Sequence, residues 1–324
     1  MRFLRSAIPL FIAAAVGLVA PAARAGAYPE RTVTIVVPFA AGGPADIYAR
    51  FVAARLQDEF KRPFIVDDKP GAGSIIGTNV VAQAKPDGYT LLMMSNTQTV
   101  NETLMPDKPF KLMRDFVGIA PVNASDLMLV VHPSVPAKTL PELIAYAKAH
   151  PGKLTFASSG IGTPYHMAGE LFKHMAGIDI RHIPYKGSSG ARTDVVGGQV
   201  DMMFDAVTTM VPLAKDGKVR ALATSGLTRN AITPDVPTLD GAGVPKYEAT
   251  IWLGLMAPRG TPPAIVETLN AAVRRIVAEP DVKAVWSRQG AVPMSMDVAD
   301  FERYLQADIA KWAAIVRLSG AKAN

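Results

Sequence analysis

One unit recurs along this chain and limits what it can become: a short apolar run, a loop rich in Gly, Pro and Ser, then a helical stretch. TVTIVVPF leads through AAGG into PADIYARFVAARL, and FIVDDKP leads through GAGS into IIGTNVVAQA, with YTLLMMS following. The unit returns as LTFAS before TPYHMAGELFKHM, IRHIPY before ARTDVVGGQ, and DMMFDAV before MVPLAKDG, with RALATS closing the series. Such alternation predicts an α/β fold of mostly parallel sheets flanked by helices. The C-terminal part is more helical. Ile265, Val266, Leu269, Val273, Ile276 and Val277 mark one apolar face, and Phe301, Leu305, Ile309, Trp312 and Val316 another. Both are faces for burial against a sheet.

Two segments interrupt the pattern. LMLVVHP (127–133) and TIWLGLMAP (250–258) are extended, apolar and end in proline. Laid side by side as crossovers, they would divide the chain into a first lobe, 26–126 with 250–324, and an inserted second lobe, 127–249. A cleft between lobes is where ligands commonly bind.

Residues 1–25 stand apart from the fold. Arg2 and Arg5 precede an apolar run, and Ala23-Arg24-Ala25 has the form of a signal-peptidase site, so a secreted chain starting at Gly26 is expected. No later segment is apolar for the ~18 residues of a membrane span. The sequence has no cysteine, which excludes disulfides, thiol catalysis and Cys-ligated zinc. Removing Arg2, Arg5 and Arg24 from the formal charge of +6 leaves +3. With no basic run interleaved with aromatics, a nucleic-acid partner is not expected.

The richest stretch for chemistry is SSGIGTPYHMAGELF, from Ser158 to Phe172. Thr163-Pro164 reads as an N-cap followed by proline at the first helical position. Ser158, Ser159, Gly160 and Gly162 before it form a loop that allows close approach, facing a helix end that favours anions. The same tripeptide at Gly260-Thr261-Pro262 and the capping box at Thr139 and Glu142 show that such signals also simply start helices. PFAAGGPAD, Pro38 to Asp46, repeats the construction after the first strand. Phe39, Ala41, Gly42, Gly43 and Ala45 are its candidate ligand contacts, and Asp46 is placed to cap the loop. Two such loops facing each other would make a donor-rich seat for a carboxylate.

Other readings are weaker. His166, Glu170 and His174 share a helix face at metal-ligand spacing but lack a supporting set of ligands, so no metal is expected and His166 reads as a first-turn donor. Ser158 or Ser159 with His166 could serve a hydrolase, yet the G-x-S-x-G elbow is missing. GAGSIIG departs from the dinucleotide spacing, so no cofactor is expected. Asp205, at the end of DMMFDAV, is either a hinge residue or a cleft residue meeting a cationic or hydroxyl group of a ligand.

Across the mature chain the sequence resembles the Bug/TctC family of extracytoplasmic solute receptors. The resemblance is carried by YPERTVTIVVPFAAGGPADIYAR, VDDKPGAGSIIGT, KPDGYTLL, SSGIGTPYHMAGELF, IPYKGSSGA, GGQVDMMFD, PDVPTL and WLGLMAPRGTP. It implies a two-lobed, Venus-flytrap periplasmic binding protein, not an enzyme, that closes on a small organic acid. One carboxylate would be gripped by the loops Phe39–Asp46, partly through water, and Ser158–Thr163, with His166 nearby. Asp205 and the Trp252 segment would then lie near the cleft or hinge. The implied partners are the organic acid and the permease subunits of a tripartite tricarboxylate-type transporter, served by a periplasmic, monomeric receptor that is not itself embedded in the membrane. A role as sensor for a membrane kinase is the alternative. Ala45 departs from the family, which often has a hydroxyl residue there, and so removes one donor beside the carboxylate.

Overall fold

The computed structural model describes residues 28–323, so the expected signal sequence lies outside the described residues. The first strand-helix units are β1 (Val33–Val37), α1 (Pro44–Phe60), β2 (Phe64–Asp68), α2 (Ile75–Ala82), β3 (Thr90–Ser95) and α3 (Thr97–Leu104). A short α4 (Leu112–Asp115) leads into the long β4 (Phe116–Val131). Then follow α5 (Leu140–Ala149), β5 (Thr155–Ser158), α6 (Pro164–Ala176), β6 (Arg181–Pro184), α7 (Ser188–Val196), β7 (Met202–Ala206), α8 (Val207–Lys215) and β8 (Arg220–Thr224). The chain ends with β9 (Thr250–Pro258), α9 (Pro263–Ala278), α10 (Pro280–Arg288), β10 (Ala291–Pro293) and α11 (Val298–Ser319).

Two parallel triplets, β2-β1-β3 and β6-β5-β7, carry the expected strand-loop-helix units. Between them β9 and β4 run antiparallel to their neighbours, so the sheet is mixed where it crosses over. The crossover pairing differs in register from the sequence expectation. β9 pairs with Phe116–Asp126, whereas Leu127–Val131 of the same strand pairs with β7 and β8. Apolarity alone made LMLVV look like a separate crossover. In the fold it is the far end of one 16-residue strand that lies between β9 and the second triplet.

Alternation sorts the core. Val33, Ile35 and Val37 face Tyr48, Val52 and Leu56 of α1 and Leu269 and Val273 of α9, while Val36 faces Leu92, Met94, Trp252 and Phe301 on the other side. A strand buried on both faces has no polar edge to show, which explains the unbroken apolar run. Each such side chain contributes about 1.5–3 kcal/mol relative to exposure. A separate cluster around Leu129, Phe156, Phe172, Phe204 and Tyr247 packs the second triplet. Trp312 and Val316 of α11 pack with Val100 and Leu104 of α3 and with Met167 of α6, so the last helix touches both triplets. No helix among the described residues is long and apolar enough to cross a membrane.

Candidate functional site

Both candidate loops leave the carboxyl ends of parallel strands. Helix α1 starts at Pro44 with Gly43 as N-cap, and no side chain caps it from that position. Asp46 in its first turn does the work instead. Its Oδ2 accepts from Gly42 N–H at 2.8 Å, and its Oδ1 lies 2.6 Å from Arg50 Nε. A carboxylate at a helix N-terminus is favourably placed against the dipole, so the acid folds the loop back onto its own helix. Gly42 takes φ of 77° here, a conformation open to glycine at little cost.

The second loop has the same plan and different fastenings. Thr163 caps α6: its Oγ1 accepts from His166 N–H at 3.4 Å and donates to Gly160 O at 2.7 Å. Ser158 Oγ accepts from Gly160 N–H at 3.1 Å and lies 2.6 Å from His182 Nε2. His166 Nδ1 accepts from Gly162 N–H at 3.1 Å, and its ring stacks on His182 at 4.0 Å between centroids. Burial pushes both imidazoles down, His166 to about 3 and His182 to about 4, so both are neutral; His166 accepts from the loop and His182 shares a hydrogen bond with Ser158. The repeat of this tripeptide behaves differently. Thr261 is not the N-cap of α9, because Pro263 takes the first helical position and Pro262 precedes it.

The two loops meet. The N-terminal turns of α1 and α6 border one small enclosure, about 20 Å³, with Phe39, Gly43, Ala45, Ser159, Tyr165 and Ser188 on its walls. That is near the size of a single water, so an organic acid enters only if the loops separate. Arg192 ties the first loop to α7 and β7: it donates to Asp205 Oδ2 at 2.8 Å, to Ser188 Oγ at 3.2 Å and to Gly42 O at 2.6 Å. Gly187 permits this approach, since a methyl group there would lie 2.6 Å from Ala40 Cβ. A larger groove of about 650 Å³ lies on the other side of Ser159–Ile161, bordered by Gly71–Ile75, Leu104–Lys108 and Pro184–Lys186.

Of the residues singled out in sequence, Phe39, Gly43, Ala45 and Ser159 border the enclosure. The backbone N–H groups of Gly42, Gly160 and Gly162 are taken by Asp46, Ser158 and His166. Ala41 is exposed in the first loop, and Thr163 is buried in the cap. Two expectations change. His166 is not a first-turn donor toward the enclosure, because its ring turns back to brace Gly162. Asp205 is wholly buried and meets Arg192 rather than open cleft; burial raises its carboxyl and Arg192 draws it back down. Trp252 packs edge-on against Phe301 and Tyr304, and its neighbour Ile251 borders the enclosure instead. His174 is exposed while His166 and Glu170 are buried, and no cluster of three potential metal ligands occurs among the described residues.

The partners that sequence reasoning missed are His182, Arg192, Ser188 and Tyr165. A faint signal existed for three of them. Tyr165 lies in the first turn of α6, and Ser188 and Arg192 sit one helical turn apart just after Tyr185-Lys186-Gly187. Nothing near His182 in sequence pointed to Ser158.

Parallel triplets joined by antiparallel crossovers, with glycine loops meeting at the strand ends, make up a fold shared with solved periplasmic binding proteins. The family model described as tripartite tricarboxylate transporter family receptor, TctC, matches residues 48–320. The chain is 37% identical over 324 residues to protein BugT of Bordetella pertussis, covering 99% of both. It is 39% identical over 262 residues to a UPF0065 protein from the tcbD-tcbE intergenic region of a Pseudomonas species, covering 81% of this chain and 78% of that one. Among solved structures, R. palustris Rpa4515 with adipate superposes with a TM-score of 0.88 at 32% identity, covering 91% of this chain and 99% of the other. MatC from Rhodopseudomonas palustris with bound malate gives 0.84 at 33% identity, covering 89% and 100%. The chain belongs to the Bug/TctC family of solute receptors.

Proposed function

We propose that this protein is a periplasmic receptor that holds one carboxylate of a small organic acid between two lobes and delivers it to a tripartite tricarboxylate-type permease. The observation that carries this reading is the meeting of two proline-initiated helix N-termini, α1 and α6, at one enclosure. First-turn N–H groups have no partner within their own helix, and the helix dipole favours an anion in front of them. Residues 26–126 with 250–324 would be one lobe and 127–249 the other, in keeping with the separate apolar clusters around β1 and β5. Closure would bring Arg192 onto Gly42 O, and the ligand would shift the population toward that state by binding it better. Similar proteins carry adipate and malate, which supports a carboxylate as the shared handle.

Ser158 gives little support to a hydrolase. It is wholly buried, and its hydroxyl is engaged by Gly160 and His182.

The test is a thermal-shift screen of the mature chain against mono-, di- and tricarboxylates, after unfolding and refolding to strip carried ligand. A ligand at a hundred times its dissociation constant adds about 2.7 kcal/mol to stability, and a raised melting temperature is the expected result. No rise with any acid would overturn the reading.

A further inference from the structure

Resting on the two-lobed receptor reading, we infer that the start of α7 is the latch of the closed state: Arg192 makes the bond across the lobes, and Gly187 supplies the clearance that lets it form. Three observations carry it. First, Gly187 has no local need to be glycine. Its backbone is fully extended, with φ 177° and ψ 167°, a conformation that any residue adopts. What forbids a side chain there is the other lobe. The three atoms nearest to an added methyl carbon all belong to Ala40: Cβ at 2.6 Å, N at 2.9 Å and Cα at 3.2 Å. Carbon atoms settle about 3.5–4.0 Å apart, so a methyl group would push the first loop away. Gly73 also nears the second lobe, 2.6 Å from Ile161 O by the same measure, but its φ of 60° already calls for glycine.

Second, the two halves of the bond are aimed from within their own lobes. Arg192 Nη1 donates to the wholly buried Asp205 and to Ser188 Oγ, which leaves Nη2 to donate to Gly42 O at 2.6 Å. Gly42 is held in turn by its N–H on Asp46 Oδ2, which fixes where its carbonyl points. A fork held on one side loses little further freedom when the other side engages.

Third, the neighbouring residues fit the same approach. An added methyl carbon on Gly43 would lie 3.0 Å from Ser188 Oγ, and one on Gly42 would lie 3.9 Å from Ser189 Cβ. The first loop and the first turn of α7 therefore meet over Ala40–Gly43 and Gly187–Arg192. The motif YKGSSG, which had no role in holding the acid, thereby gains one in closure.

The chain has no cysteine, so Ala54→Cys in α1 and Ala145→Cys in α5, both exposed, accept one spin label on each lobe. Distances between the labels are read by pulsed electron resonance, with the protein alone and with adipate or malate. Wild type should populate a short distance, and Gly187→Ala should lower its population relative to the longer one roughly tenfold, the scale of an overpacked contact. Ala40→Gly in that background removes the nearest clashing carbon and should restore part of the short population. Arg192→Lys keeps a cation for Asp205 but cannot fork to both partners, and should shift the distances the same way by roughly threefold to tenfold. Unchanged distances in Gly187→Ala would overturn the inference, as would failure of Ala40→Gly to restore them, since Gly187 would then matter only to its own helix. If Gly187→Ala fails to fold, Arg192→Lys decides alone, and unchanged distances there overturn the latch. Any of these results, in protein that binds an acid in the thermal-shift screen, leaves the receptor reading intact. Binding of no acid would overturn that reading as well.

Discussion

The loop before α1 and the loop before α6 share a plan and differ in what secures them. The first is tied by the buried carboxylate of Asp46 to Gly42 N–H and to Arg50, whose own side chain is 54% exposed. The second is tied by neutral groups inside the protein: Ser158, Thr163, His166 and His182. An ionic fastening in contact with water is weakened by salt and tolerates movement. A buried neutral one is insensitive to salt, vulnerable to acid, and intolerant of added volume. The comparison suggests a fixed second loop and a more adaptable first one.

The largest effect should come from crowding the second loop. Gly162 has φ of 77°, and a methyl group there would fall 2.1 Å from Asn101 Oδ1 of α3. Gly162→Ala should cost about 3 kcal/mol in urea denaturation, combining backbone strain with displacement of Asn101. Gly42→Ala also has an unfavourable φ, yet nothing lies closer to its added carbon than Ser189 Cβ at 3.9 Å. Its cost should stay near 1 kcal/mol. Equal costs would break the contrast between the loops.

Acid should act next. His166 and His182 are neutral in the fold, with values lowered to about 3 and about 4, while the unfolded chain takes up their protons near 6.5. Their contribution is therefore complete above about pH 6.5 and is lost as pH falls toward those folded values. His182→Gln, which can still hydrogen-bond Ser158, should remove close to one proton from the slope of stability against pH between 6.5 and 4. That is about 1.4 kcal/mol per pH unit. Asp308 opposes this trend. Burial raises its carboxyl to about 6, so its contribution is present below the unfolded value near 4 and lost as pH rises through 6. The histidine effect is best read in an Asp308→Asn background, and an unchanged slope there would mean the imidazoles do not hold the loop.

Salt should have the smallest effect. Asp46→Asn should cost about 1 kcal/mol at low ionic strength through the lost charge at the helix end and the lost pair with Arg50. Much of that cost should disappear in 1 M salt. The wild-type second loop should show no such dependence, and hydrogen exchange of Gly42 and Gly162 amides would compare the two fastenings directly.

Most of the fold could be read locally. TVTIVV and LTFAS became strands, PADIYARF and PYHMAGELF became helices, and the loops between them fell where glycine and proline placed them. Asp46 was placed as a loop cap from its position in the first turn, and it makes that contact. The span of β4 was harder to read, because an apolar run carries no mark of which strand will lie beside it. Site chemistry was harder still. His166 looked outward by its place in the helix, and only the arrival of His182 against its ring makes it an internal brace.

What the sequence by itself determined was the order of strands, loops and helices, including two proline-initiated helix starts behind glycine loops. Those features depend on residues within a few positions of one another, through backbone preference and capping. Only the tertiary structure decided which polar groups are spent and which remain free. His182 reaches Ser158 across 24 positions, and Arg192 reaches Gly42 across 150. Such contacts exist only once the strands are paired, because a hydrogen bond between distant residues is fixed by packing and not by the local preferences of either partner.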